Sequence, residues 1–198
     1  MRLVSGNLAR RIAVAVVAIP AALGIARLGG WYFVALLAAI AVLGAREIYD
    51  FAAVQGIAPL RRTGMLGAAL APVLMAFYAV EHAAQGPFRA GRYAVAVWLL
   101  LVITVGLWRR GPSHRPLTAV AVTVFGALYA GWLPAFAILL RHPVAGPASG
   151  WRVGMALLFF PLALTWAGDT AAFAGGTAFG GPKLAPVVSP NKTWSGAA

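Results

Sequence analysis

Val153-Gly-Met-Ala-Leu-Leu-Phe-Phe-Pro-Leu-Ala-Leu-Thr-Trp-Ala-Gly-Asp169-Thr-Ala-Ala-Phe173 is an apolar run of bilayer length that closes on an acid. About 20 predominantly apolar residues cross a bilayer as a helix, so the stretch predicts a membrane span. Asp169 is the only acidic residue in the last 117 positions. A carboxylate beside such a segment is costly to place there, which makes it a candidate functional residue to be argued together with its partners. On a helix ending at 173 it would lie about 6 Å inside the terminus, at 1.5 Å per residue, within reach of the membrane interface. Thr165, Asp169, Ala172 and Gly176 would share one face by three- and four-residue spacing. That face is mostly small and leaves room for a cation or a phosphate.

Outward from this run, the rest of the 198 residues reads the same way. The chain is 62% hydrophobic and 10% charged, with a mean hydropathy of +0.84, whereas soluble domains carry about 25% charged residues. The fold class is all-α, a polytopic integral membrane protein. Six apolar segments can be drawn, at 12–28, 30–45, 64–80, 93–108, 117–140 and 153–173, giving about six transmembrane helices in a single transmembrane domain over 1–198. The first five spans and their loops fill 12–152, and 153–198 holds the sixth span with a Gly/Lys/Ser-Pro segment. The start resembles a signal peptide, with a basic stretch to Arg11 and an apolar run from Ile12. No small-residue cleavage site precedes Arg27, however, so it is read as a retained first span. Only Arg27-Leu-Gly-Gly30 joins the first two spans, which requires a helical hairpin.

The net charge of +12 comes from basic residues scattered in ones and twos rather than in a stripe, which points to topology and away from nucleic acid. With the N-terminus inside, the cytoplasmic segments carry Arg2, Arg10, Arg11, Arg46, Arg61, Arg62, Arg109, Arg110, Arg115, Lys183 and Lys192, eleven in all. The opposite side carries the five residues Arg27, Arg89, Arg92, Arg141 and Arg152. Basic residues in short loops stay cytoplasmic, so the expected location is the cell membrane, with Asp169 and the segment after it facing the cytoplasm. Trp31, Tyr32, Tyr93, Trp108 and Trp151 fall at span ends, as interfacial belts require. Pro20, Pro72, Pro134 and Pro161 are read as helix kinks that neighbouring helices tolerate. Small residues such as Gly126 and Ala130, or Ala68 and Pro72, read as helix–helix contacts. The absence of cysteine removes disulfides and thiolate metal sites, and the histidines lie too far from any third ligand to argue for zinc.

The chemistry gathers after Asp169. Gly175, Gly176, Gly180 and Gly181 allow close backbone approach and positive φ. Lys183 and Lys192 offer point charges suited to phosphates, and Ser189 and Thr193 add hydroxyls around Pro190. This is the composition of a phosphate-binding loop without the spacing of a Walker motif. A structural ion pair or a snorkelling acid is the alternative use of Asp169.

At these residues the chain resembles the phosphatidate cytidylyltransferase family of CDP-diacylglycerol synthases. The resemblance rests on Asp169-Thr-Ala-Ala-Phe-Ala-Gly175, Phe179-Gly180, Lys183-Leu-Ala-Pro186 and Ser189-Pro-Asn-Lys-Thr-Trp-Ser-Gly196, about 28 residues. Phe173 stands where the family commonly has Tyr, which removes a hydroxyl, and Ser195 stands where Glu is usual, which removes a charge. The family's Lys-Asp and Asp-Arg-x-Asp elements are expected beyond Ala198, so the resemblance implies a truncated chain.

The resemblance implies CMP transfer from CTP to phosphatidate, forming CDP-diacylglycerol and pyrophosphate, with membrane lipids as partners and Mg²⁺ or another divalent cation as cofactor. It assigns catalytic roles to Asp169, Lys183 and Lys192, with Asp169 on the metal or beside it. Gly180, Ser189, Pro190, Asn191 and Thr193 are assigned to substrate binding. A homo-oligomer is compatible with it. Two competing readings stand: a transporter with Asp169 as a cation or proton site, and a catalytically silent membrane scaffold.

Overall fold

In a computed structural model, described for residues 2–83, 89–109, 115–143, 150–186 and 189–197, every apolar run of the sequence is helical. A backbone out of water must satisfy its own hydrogen bonds, and the helix does so within each segment. The elements are α1 (Arg2–Leu28), α2 (Gly30–Val54), α3 (Arg61–Ala83), α4 (Arg89–Arg109), α5 (Pro116–Ala127), a π-helical turn (Leu128–Trp132), α6 (Leu133–Arg141) and α7 (Trp151–Phe179). Two short strands follow, β1 (Lys183–Ala185) and β2 (Ser189–Thr193), then a 3₁₀ turn at Trp194–Gly196. Among the described residues, four stretches are long and apolar enough to cross a membrane: Gly30–Val54, Arg61–Ala79, Pro116–Arg141 and Trp151–Phe179. Val16–Leu28 and Tyr93–Arg109 are shorter apolar stretches. Arg110 and Ala198 lie outside the described residues.

The all-α reading holds, with a short antiparallel β1–β2 hairpin added after α7. One expectation is corrected. The last apolar helix does not stop at 173 but runs to Phe179, so Asp169 lies ten residues, about 15 Å, from its end rather than about 6 Å. The segment after β2 forms a three-residue 3₁₀ turn, Trp194–Gly196.

The chain divides into two compact units, 1–155 and 156–198. In the first, α2, α3, α4 and α5 enclose a core of Ala41, Ala45, Tyr49, Leu60, Ala68, Trp98, Val102, Ala127 and Ala130. Small residues set the spacing, because without a hydrophobic drive between helices in lipid, close packing holds them together. A Cβ on Gly131 would lie 2.6 Å from the carbonyl oxygen of Ala68, and one on Gly126 would overlap the Tyr49 ring. Gly126, Ala130 and Ala68 thus mark helix contacts, as their spacing implies, and Pro72 is fully buried. Pro134 opens α6 immediately after the π-helical turn. Its missing N–H leaves the Ala130 carbonyl without an i+4 donor, which accounts for the widened turn there.

Thr123 is the polar hub of this core. Its hydroxyl donates to Ala119 O (2.7 Å) and accepts from Leu60 N (2.8 Å), while Tyr49 Oη donates to Thr123 O (2.8 Å). A threonine in α5 therefore holds the backbone just before α3, satisfying a buried N–H that would otherwise be costly. Trp98 Nε1 donates to Thr63 O at 2.9 Å and ties α4 to the same end of α3.

At another corner Arg141 is 4% exposed and is held without a carboxylate. Its Nε donates to Ala26 O (2.6 Å) and a terminal nitrogen donates to Arg27 O (2.8 Å). These are carbonyls of the last turn of α1, which have no intrahelical partner and face the negative end of the helix dipole. His142 Nε2 accepts from Gly30 N at 3.2 Å. Between these side chains runs Gly29, φ 66°, where a Cβ would sit 3.0 Å from Arg141 and 3.1 Å from His142. Arg141, counted above as a loop charge, is thus a buried cap on the joint between α1 and α2. Trp31, Tyr32, Tyr93, Trp108 and Trp151 are all exposed near helix ends, and Arg27 and Arg152 stack on Trp151 at 5.4 and 5.6 Å.

Candidate functional site

The second unit is built from α7 and the hairpin. Gly180 ends the helix in the left-handed region (φ 60°), with its N–H reaching Gly176 O at 3.2 Å, and Gly181 follows at φ 109°. Side chains other than glycine are strained there, and this pair turns the chain back into β1. The strands pair antiparallel, with Lys183 opposite Thr193 and Ala185 opposite Ser189, and the register slips between the two pairs. Trp194 N donates to Pro182 O at 3.1 Å and closes the base of the ribbon.

The ribbon packs onto α7 through glycine. A Cβ on Gly196 would run into Ala172 O and lie 3.1 Å from Gly176 N. One on Gly176 would lie 2.8 Å from Thr193 Oγ1, and one on Gly175 would lie 3.1 Å from Ser195 O. Ala172 and Gly176 belong to the small face that also carries Thr165 and Asp169. The hairpin therefore lies on the face of Asp169, one helical turn toward the C-terminus.

The side chains of this unit fall into two groups. Thr193 is 8% exposed, with its Oγ1 3.1 Å from Ser195 Oγ, and the Ser195 hydroxyl donates to Gly180 O. Thr193 and Ser195 thus bind the ribbon to the glycine turn. Thr193, expected among the substrate ligands, and Ser195, expected only as a lost glutamate, are both bracing residues. The signal available for the bracing role was their two-residue spacing beside Gly196. Asp169, Lys183 and Lys192 are exposed, and among the described residues none of them forms an ion pair. Pairing sets Lys183 one register position from Lys192. Ser189 and Asn191 lie in β2 with Pro190 exposed between them, and the side chain of Asn191 lies outside the description. Thr165, Thr170 and Thr177 spend their hydroxyls on carbonyls four residues back, at 2.7–2.8 Å. No cluster of three or more His, Cys, Asp or Glu occurs among the described residues. One carboxylate is nevertheless compatible with a Mg²⁺ ion that draws its remaining ligands from water and substrate phosphates.

The fold and this unit define a helical membrane protein that presents one carboxylate and two lysines around a glycine-bound ribbon. The family model described as "Cytidylyltransferase family" matches residues 9–198, and the chain belongs to that family. Phosphatidate cytidylyltransferase 5, chloroplastic, of Arabidopsis thaliana is 31% identical over 198 residues, covering 88% of this chain and 46% of that protein. The phosphatidate cytidylyltransferase of Synechocystis sp. is 27% identical over 206 residues (94% and 66%). That of Haemophilus influenzae is 32% identical over 188 residues (84% and 59%). The chain thus spans about half to two thirds of the length of these relatives. No solved structure matches it.

Proposed function

We propose that this protein takes part in transferring CMP from CTP to phosphatidate, with CDP-diacylglycerol and pyrophosphate as products. The observation that carries the reading is the placement of the lysine-bearing hairpin on the Asp169 face of α7, in a chain of this family. In the proposed reaction a phosphate oxygen of the lipid forms a bond to the α-phosphorus of CTP. The α–β anhydride bond breaks, and pyrophosphate leaves with the electron pair.

Such transfers ask little covalent chemistry of a protein and depend on positioning and charge stabilisation. Lys183 and Lys192 would neutralise the triphosphate and the lipid phosphate, and Ser189 and Asn191 would orient them with hydrogen bonds. Gly180 lets the backbone pass close to a phosphate, and Pro190 stiffens the strand between the hydrogen-bonding residues. Thr193 would act by holding the ribbon in place. Asp169 would hold a divalent cation, Mg²⁺ by its oxygen chemistry, which when bound supplies positive charge to the phosphates. The finer topology belongs to the same reading: six spans, N-terminus and ribbon in the cytoplasm of a cell with this protein in its plasma membrane, supported by eleven basic residues on that side against four on the other once Arg141 is set aside as a buried cap.

The test is incubation of membranes containing the protein with phosphatidate and CTP labelled in the cytosine ring. Labelled CDP-diacylglycerol with stoichiometric pyrophosphate is expected. Phosphorylated lipid without the cytosine label would replace the reading with a CTP-using lipid kinase, and no lipid product would return it to a transporter or a scaffold.

A further inference from the structure

A second concentration of positive charge lies in the first unit. An open cavity of about 450 Å³ is lined by Leu60, Arg61, Arg62, Thr63, Val105 and Arg109, with Pro59 at its edge. Arg61 is already engaged, 2.6 Å from Asp50 Oδ1 and 3.4 Å from Tyr49 O. Arg62 and Arg109 are exposed and form no ion pair among the described residues. Two helices thus bring two unneutralised guanidinium groups to one cavity. Its walls are firm: Leu60 N is bound by Thr123, and Thr63 O accepts from Trp98.

The position of the cavity bears on what enters it. Arg61 opens one bilayer-length apolar stretch and Arg109 closes another apolar stretch, and such ends lie where phospholipid headgroups lie. Guanidinium groups match phosphate oxygens in geometry as well as charge. The volume falls within the ~300–1,000 Å³ of small-molecule sites, and Leu60, Pro59 and Val105 add apolar surface beside the charges. We propose that this cavity binds the phosphate of an anionic phospholipid headgroup, with Arg62 and Arg109 as its ligands. Arg61 is a positioning residue, fixed by Asp50. The site is built wholly from the first unit and does not depend on the reaction proposed for the second.

The test uses protein in nanodiscs of phosphatidylcholine containing a small fraction of phosphatidylglycerol, with bound lipid counted by native mass spectrometry. Arg62→Gln/Arg109→Gln is compared with Arg115→Gln/Arg152→Gln, which removes the same charge from helix ends outside the cavity. The cavity pair is expected to weaken phosphatidylglycerol retention at least about tenfold more than the outer pair, whose own loss stays within about thirtyfold, since each charge near a membrane surface contributes roughly 1 kcal/mol. Equal losses in the two variants would mean diffuse surface attraction and would overturn the site. Inorganic phosphate at 10 mM, a concentration on the order of ~10⁴ times a micromolar site constant, is expected to leave lipid retention by the unaltered protein unchanged. Full displacement would make free phosphate the ligand and overturn the lipid assignment. Circular dichroism in the same discs reports folding. If the glutamine pair misfolds, Arg62→Lys/Arg109→Lys keeps the charge but loses the planar fork, and undiminished retention there would also count against the site.

Discussion

In the first unit the polar side chains of the core are buried and paired; in the second the three charged side chains are exposed and open. Thr123 makes hydrogen bonds to Ala119 and Leu60 and is fully buried, and Arg141 is 4% exposed yet caps two carbonyls of α1. Asp169, Lys183 and Lys192 have no such partners among the described residues. Polar groups satisfied internally hold a structure together, while a charge left open along an apolar helix is a cost that an external ligand offsets. The contrast sets the packed core apart from the proposed site, and it fails if the two kinds of residue respond alike to substitution.

The largest effect is expected at Asp169. Asp169→Asn keeps the shape and removes the charge, and CMP transfer should fall by about 100-fold or more, the scale seen when one electrostatic contact to a reacting centre is lost. Thermal unfolding in detergent should move little, because surface changes away from paired groups stay within about 0.5 kcal/mol. Unchanged transfer would remove Asp169 from the site. A large fall in melting temperature would make it a structural residue of the Thr123 kind.

Gly131→Ala tests the opposite side of the comparison. The new Cβ would meet Ala68 backbone atoms at 2.6 and 2.7 Å, and backbone cannot yield as a side chain can. A loss of about 3 kcal/mol is expected, the upper range for overpacking, measured by denaturant titration in micelles. Gly196→Ala makes a similar clash with Ala172 O in the second unit. It should lower CMP transfer while leaving the unfolding of the first unit unchanged; a common loss of stability would show that the units do not unfold separately.

Thr123→Val is smaller. It removes the acceptor for Leu60 N without changing side-chain volume greatly, so a loss of about 2 kcal/mol is expected from the stranded N–H. Thr165→Val on α7, whose hydroxyl bonds only to Pro161 O at an exposed position, should change stability by less than about 0.5 kcal/mol.

The helices were legible because apolar runs of bilayer length admit little else, and the contacts at Gly126, Ala130 and Ala68 followed from small-residue spacing. The end of α7 was not. Ala174-Gly-Gly-Thr-Ala-Phe179 reads as a loop by helix propensity, yet those glycines are where Thr193, Ser195 and Gly196 come close, and that packing offsets the propensity. The hairpin carries no alternating pattern over its three- and five-residue strands, so periodicity could not find it. Asp169 and the two lysines stood out as charges against an apolar background. Thr123 and Arg141 did not, because what distinguishes them is a partner 63 to 115 residues away, and spacing along the chain carries no trace of that.

The smallest effect expected is a pH dependence confined to the first unit. His142 accepts the Gly30 N–H through Nε2, which only the neutral ring can do. Its pKa lies below the ordinary 6.5, first through burial and then through the adjacent Arg141 charge. The unfolded chain therefore binds a proton that the folded chain refuses, between 6.5 and the depressed folded value, and stability rises with pH wherever the unfolded state holds more protons. The contribution is complete above 6.5 and is lost as pH falls from there toward the folded value. His142→Gln keeps an acceptor and removes the titration, so the stability difference between pH 7.5 and 5.5 should be smaller in the variant than in the original protein. Equal differences would mean that folding leaves the titration of His142 unshifted, and that the joint between α1 and α2 rests on Arg141 alone.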